Sequence, residues 1–180
     1  MRVFSVLPFF ILVPVFAAAQ SADVMQKALA AEAAKLSSWA AEKSIVEAVR
    51  RQNAKAVPLA EVKRIDAEWT AGKAEAQVRE TTTGACADRM RVLVAADGRY
   101  GETFVTDANG AIVCATQRTS DYWQGDETKW SRAFNDGAFI DRPKLDESAK
   151  ARLAQISLPV TENGKTIGVL TVGVNVDRLK

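Results

Sequence analysis

A chain of 180 residues with a net charge of +2, 48% hydrophobic and 26% charged, suits one globular domain with a real core, and its composition is too mixed for disorder. It contains no histidine, which excludes Ser-His-Asp and Cys-His catalysis, H-E-x-x-H zinc chemistry and His-ligated haem. Its lysines and arginines are spread along the whole length, so there is no electrostatic footprint for nucleic acid.

The first element in chain order is a targeting segment. Arg2 is the lone charge of a short n-region, residues 3–16 form an apolar run interrupted by Pro8 and Pro14, and Ala17-Ala18-Ala19 supplies the small-residue pattern of a cleavage site. Cleavage is expected between Ala19 and Gln20, leaving a periplasmic or secreted mature chain. The run falls short of the about 20 residues that a spanning helix needs. The alternative is an uncleaved inner-membrane anchor over residues 3–19, with the alanines extending the span. Later, the apolar stretch 167–176 is broken by Gly168, Gly173 and Asn175.

Residues 21–55 contain neither glycine nor proline, and Met25, Leu29, Ala33, Leu36 and Ala40 recur at spacings of three and four. Trp39, Val46 and Val49 widen this stripe, so the pattern predicts one long amphipathic helix. Pro58 suits the first turn of a second helix with Leu59, Val62, Ile65 and Trp69 on one face, and Gly72 stops it. Thr81-Thr82-Thr83-Gly84 reads as a loop. Residues 85–96 fit a strand through Met90, Val92 and Val94, but Arg89, Arg91 and the out-of-phase Leu93 favour a helix.

Strands follow. Residues 102–106 and 111–116 are rich in β-branched side chains and flank the turn Asp107-Ala108-Asn109-Gly110. The polar segment 117–125 leads to Asp126, placed to cap a short helix with Trp130, Ala133 and Phe134 on one face and Gly137 as its stop. A short strand over 138–141 ends before Pro143, and strands over 154–161 and 166–176 are joined by Asn163-Gly164. The last strand has two unlike faces. Gly168, Leu170, Val172, Val174 and Val176 make a core wall; Ile167, Val169, Thr171, Gly173 and Asn175 grow smaller and more polar, like the floor of a pocket.

This order defines an α+β fold, a mainly antiparallel sheet with the long N-terminal helix packed on one face. Three groups of residues resemble the extracellular, PAS-like Cache (PDC) sensor domains. The run from Glu102 to Thr116 is similar to their first hairpin, and Thr119 to Glu127 with Trp130 to their pocket-lid segment. The pieces Ile156–Val160, Gly164–Leu170 and Gly173–Asp177 are similar to their closing hairpin. The expected organisation is a leader over 1–19, N-terminal helices over 20–75 and a Cache sensor domain over 76–180, the helices forming one domain with it. The resemblance implies a small-molecule binding module that feeds signal transduction. Family members commonly continue into a membrane helix and an output module, so signalling here is expected to need a separate membrane-bound kinase or chemoreceptor. Amino-acid-binding members usually carry an arginine shortly before a Trp-Tyr pair; Lys129-Trp130-Ser131 stands in that region.

The candidate ligand-binding residues are Arg118, Asp121, Tyr122, Trp123, Trp130 and Asp141. The aromatics would supply apolar cover, Arg118 and Asp121 directed polar contacts at the rim, with Arg118, Arg132 or Arg142 able to grip a carboxylate, and Asp141 either receives an ammonium or closes the turn before Pro143; the ligand is a small polar molecule, carboxylate or amine. Asp121, Asp126, Asp136, Asp141 and Asp146 match no calcium loop, so neither metal nor cofactor is expected. Cys86 and Cys114 in an oxidising compartment allow a single disulfide, the alternative being two buried thiols. The other functional classes are a periplasmic enzyme working through carboxylates and an interaction module without a small-molecule ligand.

Overall fold

Two antiparallel hairpins organise the molecule, each closed by a turn that its side chains specify. The structure, a computed structural model, describes residues 15–146 and 150–179, with side chains from Asp23 onward. Residues 1–14 of the expected leader lie outside it. In the first hairpin β1 (Tyr100–Thr106) pairs with β2 (Ile112–Ala115). Its turn is tied by Asp107, whose Oδ1 accepts the N–H groups of Asn109 at 2.8 Å and Ala111 at 2.9 Å. Gly110 has φ 82°, and a side chain there would meet the backbone of Gly125 at 2.4 Å, so this contact requires glycine. In the second hairpin β5 (Ala151–Glu162) pairs with β6 (Lys165–Asn175) across Asn163-Gly164, both at positive φ.

β1 also pairs with β6, and the sheet runs β2-β1-β6-β5-β3, with β3 (Phe139–Ile140) and β4 (Lys144–Asp146) sharing the outer side of β5. A 3-10 turn at Val176–Arg178 follows β6. One face carries α1 (Val15–Ala40), α2 (Lys43–Ala54) and α5 (Ala85–Ala95), burying Leu29, Leu36, Ile45, Val49 and Met90 against Leu158, Leu170, Val172 and Val174. At the β2 end of the other face, α3 (Leu59–Thr70) and α4 (Glu75–Thr82) bury Val62 and Trp69 with Phe104, Ile112 and Tyr122. Next to them α6 (Thr128–Asp136) crosses β5 and β6. The fold is α+β, with one antiparallel sheet between unequal helical layers.

The expected single helix over 21–55 is two helices. A continuous helix would put Ile45 about 140° around the axis from Ala40 at about 100° per residue. The chain turns instead at Glu42, which is extended (ψ 131°) and accepts the Arg89 guanidinium at 2.6 Å, so both stripes reach the sheet. The expected loop over 81–84 is shorter: α4 runs to Thr82, and the Thr81 and Thr82 hydroxyls donate to carbonyls one turn back. Helix α6 starts after Glu127, not Asp126, because Glu127 adopts the extended N-cap backbone. Strand β4 is additional to the short strand expected at 138–141. The helix chosen for residues 85–96 is α5.

Cys86 on α5 is bonded to Cys114 on β2, with the Cα atoms 6.1 Å apart. A second tie joins α1 to the start of β1. Glu32, only 8% exposed, accepts the Tyr100 hydroxyl at 2.7 Å and the Arg99 guanidinium at 2.8 Å. Arg99 also grips Asp97, which holds that carboxyl well below its ordinary range.

Candidate functional site

Between the outer end of the sheet and the β4 arm lies a cavity of about 290 Å³. Its floor is a row of residues across adjacent strands: Glu102 on β1, Gly173 on β6, Gln155 on β5 and Asp141 just after β3. The register explains the row, because Gln155 pairs with Gly173 and the Asp141 N–H donates to the Gln155 carbonyl at 2.9 Å. Gly173 belongs to the smaller, more polar face of β6. On the neighbouring row, Ser157 and Thr171 satisfy each other hydroxyl to hydroxyl at 2.9 Å. Arg142, Lys144, Leu145 and Asp146 overhang the cavity.

Two further hollows open from it. One of about 430 Å³ adds Thr128 and Lys129 of α6 and shares Asp141, Lys144 and Gln155. The other, about 520 Å³, shares Glu102, Asp146 and Leu153 and reaches Arg99 and Arg178 at the sheet end. Together they form a polar cleft in the size range of small-molecule sites.

The carboxylates differ in their state. Burial raises the Asp141 carboxyl, but hydrogen bonds from Lys144 at 2.9 Å and the Arg142 N–H at 2.8 Å outweigh it, and its pKa ends below the ordinary value. Glu102 goes the other way: burial raises its pKa, Lys129 opposes this, and the charges of Asp121 and Asp146 raise it further. The Lys129 side chain is 13% exposed, with Glu127 at 3.7 Å.

Of the six candidate residues, Asp141 lines the cleft. Trp130, on the helix that borders it, stacks on Phe134 at 5.0 Å, and its indole N–H is buried without a partner among the described residues. Of the other four, Arg118, Tyr122 and Trp123 hold segment 117–125 against α3, and Asp121 braces the segment from within. Arg118 donates to the Trp69 carbonyl and borders a separate hollow beside α4. Asp121 accepts Ser120 at 2.7 Å and Gln124 at 2.6 Å. Tyr122 is buried beside the Trp69 ring at 5.6 Å. Trp123 donates to the Asn109 carbonyl at 2.8 Å, with Lys63 over its ring. Among the described residues no cluster of three acidic or cysteine side chains could hold a metal ion.

Sequence reasoning missed Glu102, Gln155 and the β4 residues as site components. Glu102 was findable, because it alternates with Phe104 and Thr106 on one strand face, where an isolated charge is out of pattern.

No protein-family model and no curated protein matches this sequence. Solved structures do match it. The sensor domain of the histidine kinase DctB of Vibrio cholerae is similar with a TM-score of 0.50 and 11% identity, over 89% of this chain and 55% of that one. The ligand-binding domain of the Pseudomonas aeruginosa PAO1 amino acid chemoreceptor PctC, in complex with GABA, gives 0.45 and 16% over 66% and 58%. The sensory domain of the Campylobacter jejuni chemoreceptor Tlp3, with isoleucine bound, gives 0.42 and 13% over 86% and 64%. The protein has the fold of a Cache-type sensor domain. Its likeness to the DctB sensor domain is one of fold, and the chain spans little more than half of that domain.

Proposed function

We propose that this protein is an exported binding domain that senses a small polar molecule in the cleft between its sheet and the β4 arm, and reports through a separate membrane-bound kinase or chemoreceptor. The observation that carries the reading is the row Glu102, Gly173, Gln155 and Asp141: three polar groups, from β1, β5 and the end of β3, converge on one concave floor that the glycine of β6 leaves open. The fold shared with a kinase sensor domain supports it, as does the apolar leader with its cleavage pattern. Among the described residues no helix is long and apolar enough to cross a membrane. In this reading, binding reaches the cytoplasm through a separate membrane-bound partner.

In this reading Asp141 contacts the ligand and Trp130 shapes its α6 wall. Arg118, Asp121, Tyr122 and Trp123 act from behind, by fixing the segment that leads into α6. Native mass spectrometry of the protein freshly purified from its own periplasm tests the proposal. The expected spectrum carries a discrete small-molecule adduct that Asp141→Ala and Trp130→Ala each remove. An adduct that survives both substitutions places the binding site elsewhere.

A further inference from the structure

The geometry points to Glu102 as the anchor for the ammonium group of a cationic ligand, which makes the ligand class small organic amines. This inference rests on the cleft being the binding site and names what it selects.

Glu102 is the lining carboxylate whose needs the protein leaves unmet. Among the described residues it accepts no hydrogen bond and has no cation within 4.0 Å, although it lies half-buried on the cavity floor. Asp141, on the same floor, is already satisfied by Lys144 and by a backbone N–H. A partly desolvated carboxylate with no partner is costly, and a charge-assisted hydrogen bond from an ammonium removes that cost.

The surroundings set the sign of the ligand. Asp121 and Asp146 add negative potential at Glu102, and Lys129 opposes them. Lys129 and Lys144 have carboxylate partners of their own, Glu127 and Asp141, while Arg142 is exposed at the rim. An anion on this floor would lie against Glu102, whereas a cation would complete it. Room for the cation comes from Gly173, where β6 has no side chain between Glu102 and Gln155.

Three four-carbon probes separate the charge classes at nearly constant size: 1,4-diaminobutane, 4-aminobutanoate and succinate. Binding is read by thermal shift and calorimetry on the mature wild-type protein and on Glu102→Gln, which keeps the shape of the side chain and removes its charge. The diamine is expected to stabilise the wild type, 4-aminobutanoate to do so more weakly, and succinate not at all. Glu102→Gln should lose at least tenfold in affinity for the diamine while its circular dichroism spectrum stays native. Succinate binding to the wild type, or equal diamine affinity in wild type and variant, overturns the amine assignment and leaves the cleft as the site. Should Glu102→Gln fail to fold, the wild-type arm alone decides between amine and carboxylate. If none of the probes binds and the purified protein carries no adduct, the inference and the proposed function both fall.

Discussion

Asp66 shows how much a single side chain organises here. Its Oδ1 accepts the backbone N–H groups of Tyr122 at 2.8 Å and Trp123 at 2.9 Å, pinning the segment before α6 to α3. Asp66→Ala leaves both donors unpaired in a partly buried place, and unfolding in urea should show a loss of about 2 kcal/mol. Asp66→Asn keeps an acceptor oxygen and should lose less. Glu102 gives the opposite stability effect. Burial raises its pKa in the folded protein, so between the ordinary carboxylate range and that raised value the folded state holds a proton that the unfolded chain has released. Stability contributed by this group therefore falls as pH rises through that window. Glu102→Gln should melt higher than the wild type at neutral pH in the absence of ligand, with the difference shrinking in acid. A variant that melts lower would show that the charge is compensated in the fold.

Among the elements, the α5–β2 disulfide closes a separation of 28 residues. In the chain-entropy picture that loop is worth about 3.5 kcal/mol. Cys86→Ser with Cys114→Ser should lose about that much in urea unfolding, and reductant should destabilise the wild type but not the double variant. The elements also show what the sequence could convey. Both hairpins were legible, because Asp107, Gly110, Asn163 and Gly164 encode their turns locally. The break at Glu42 was not: it carries no glycine or proline and is held by Arg89, a partner 47 residues away. Strand β4 was hidden for a similar reason, since its three residues are ordered by pairing with Arg152, Leu153 and Ala151 on β5. At the site, Asp141 was legible as a charge ending a short strand. Glu102 and Gln155 became neighbours of it only through the order in which the strands pair.

For the whole molecule, the same pairing predicts where motion concentrates. The β5–β6 hairpin is central, long and buried on its core face, while β4 is three residues long with Leu145 62% exposed. Hydrogen exchange should be slowest in Ile156, Leu158, Leu170 and Val172 and fast in residues 144–146. Saturation with a compound that binds the cleft should slow 144–146 selectively and leave α5 and β2 unchanged. Equal protection throughout would show that the β4 arm does not close over the site.

The tie between Glu32 and Tyr100 has a mechanical meaning in this setting. Glu32 lies 12 residues after Gln20, where the mature chain is expected to begin, so about 18 Å of helix α1 extends from it toward the N-terminal end at about 1.5 Å per residue. Tyr100, which binds Glu32, is two residues along β1 from Glu102 on the cleft floor. Glu32 is thus placed as a fulcrum, with a short arm to the cleft and a long arm running along α1 toward its N-terminal end. A tilt of about 5° about that point displaces the far end of the helix by about 1.5 Å, given the same rise per residue.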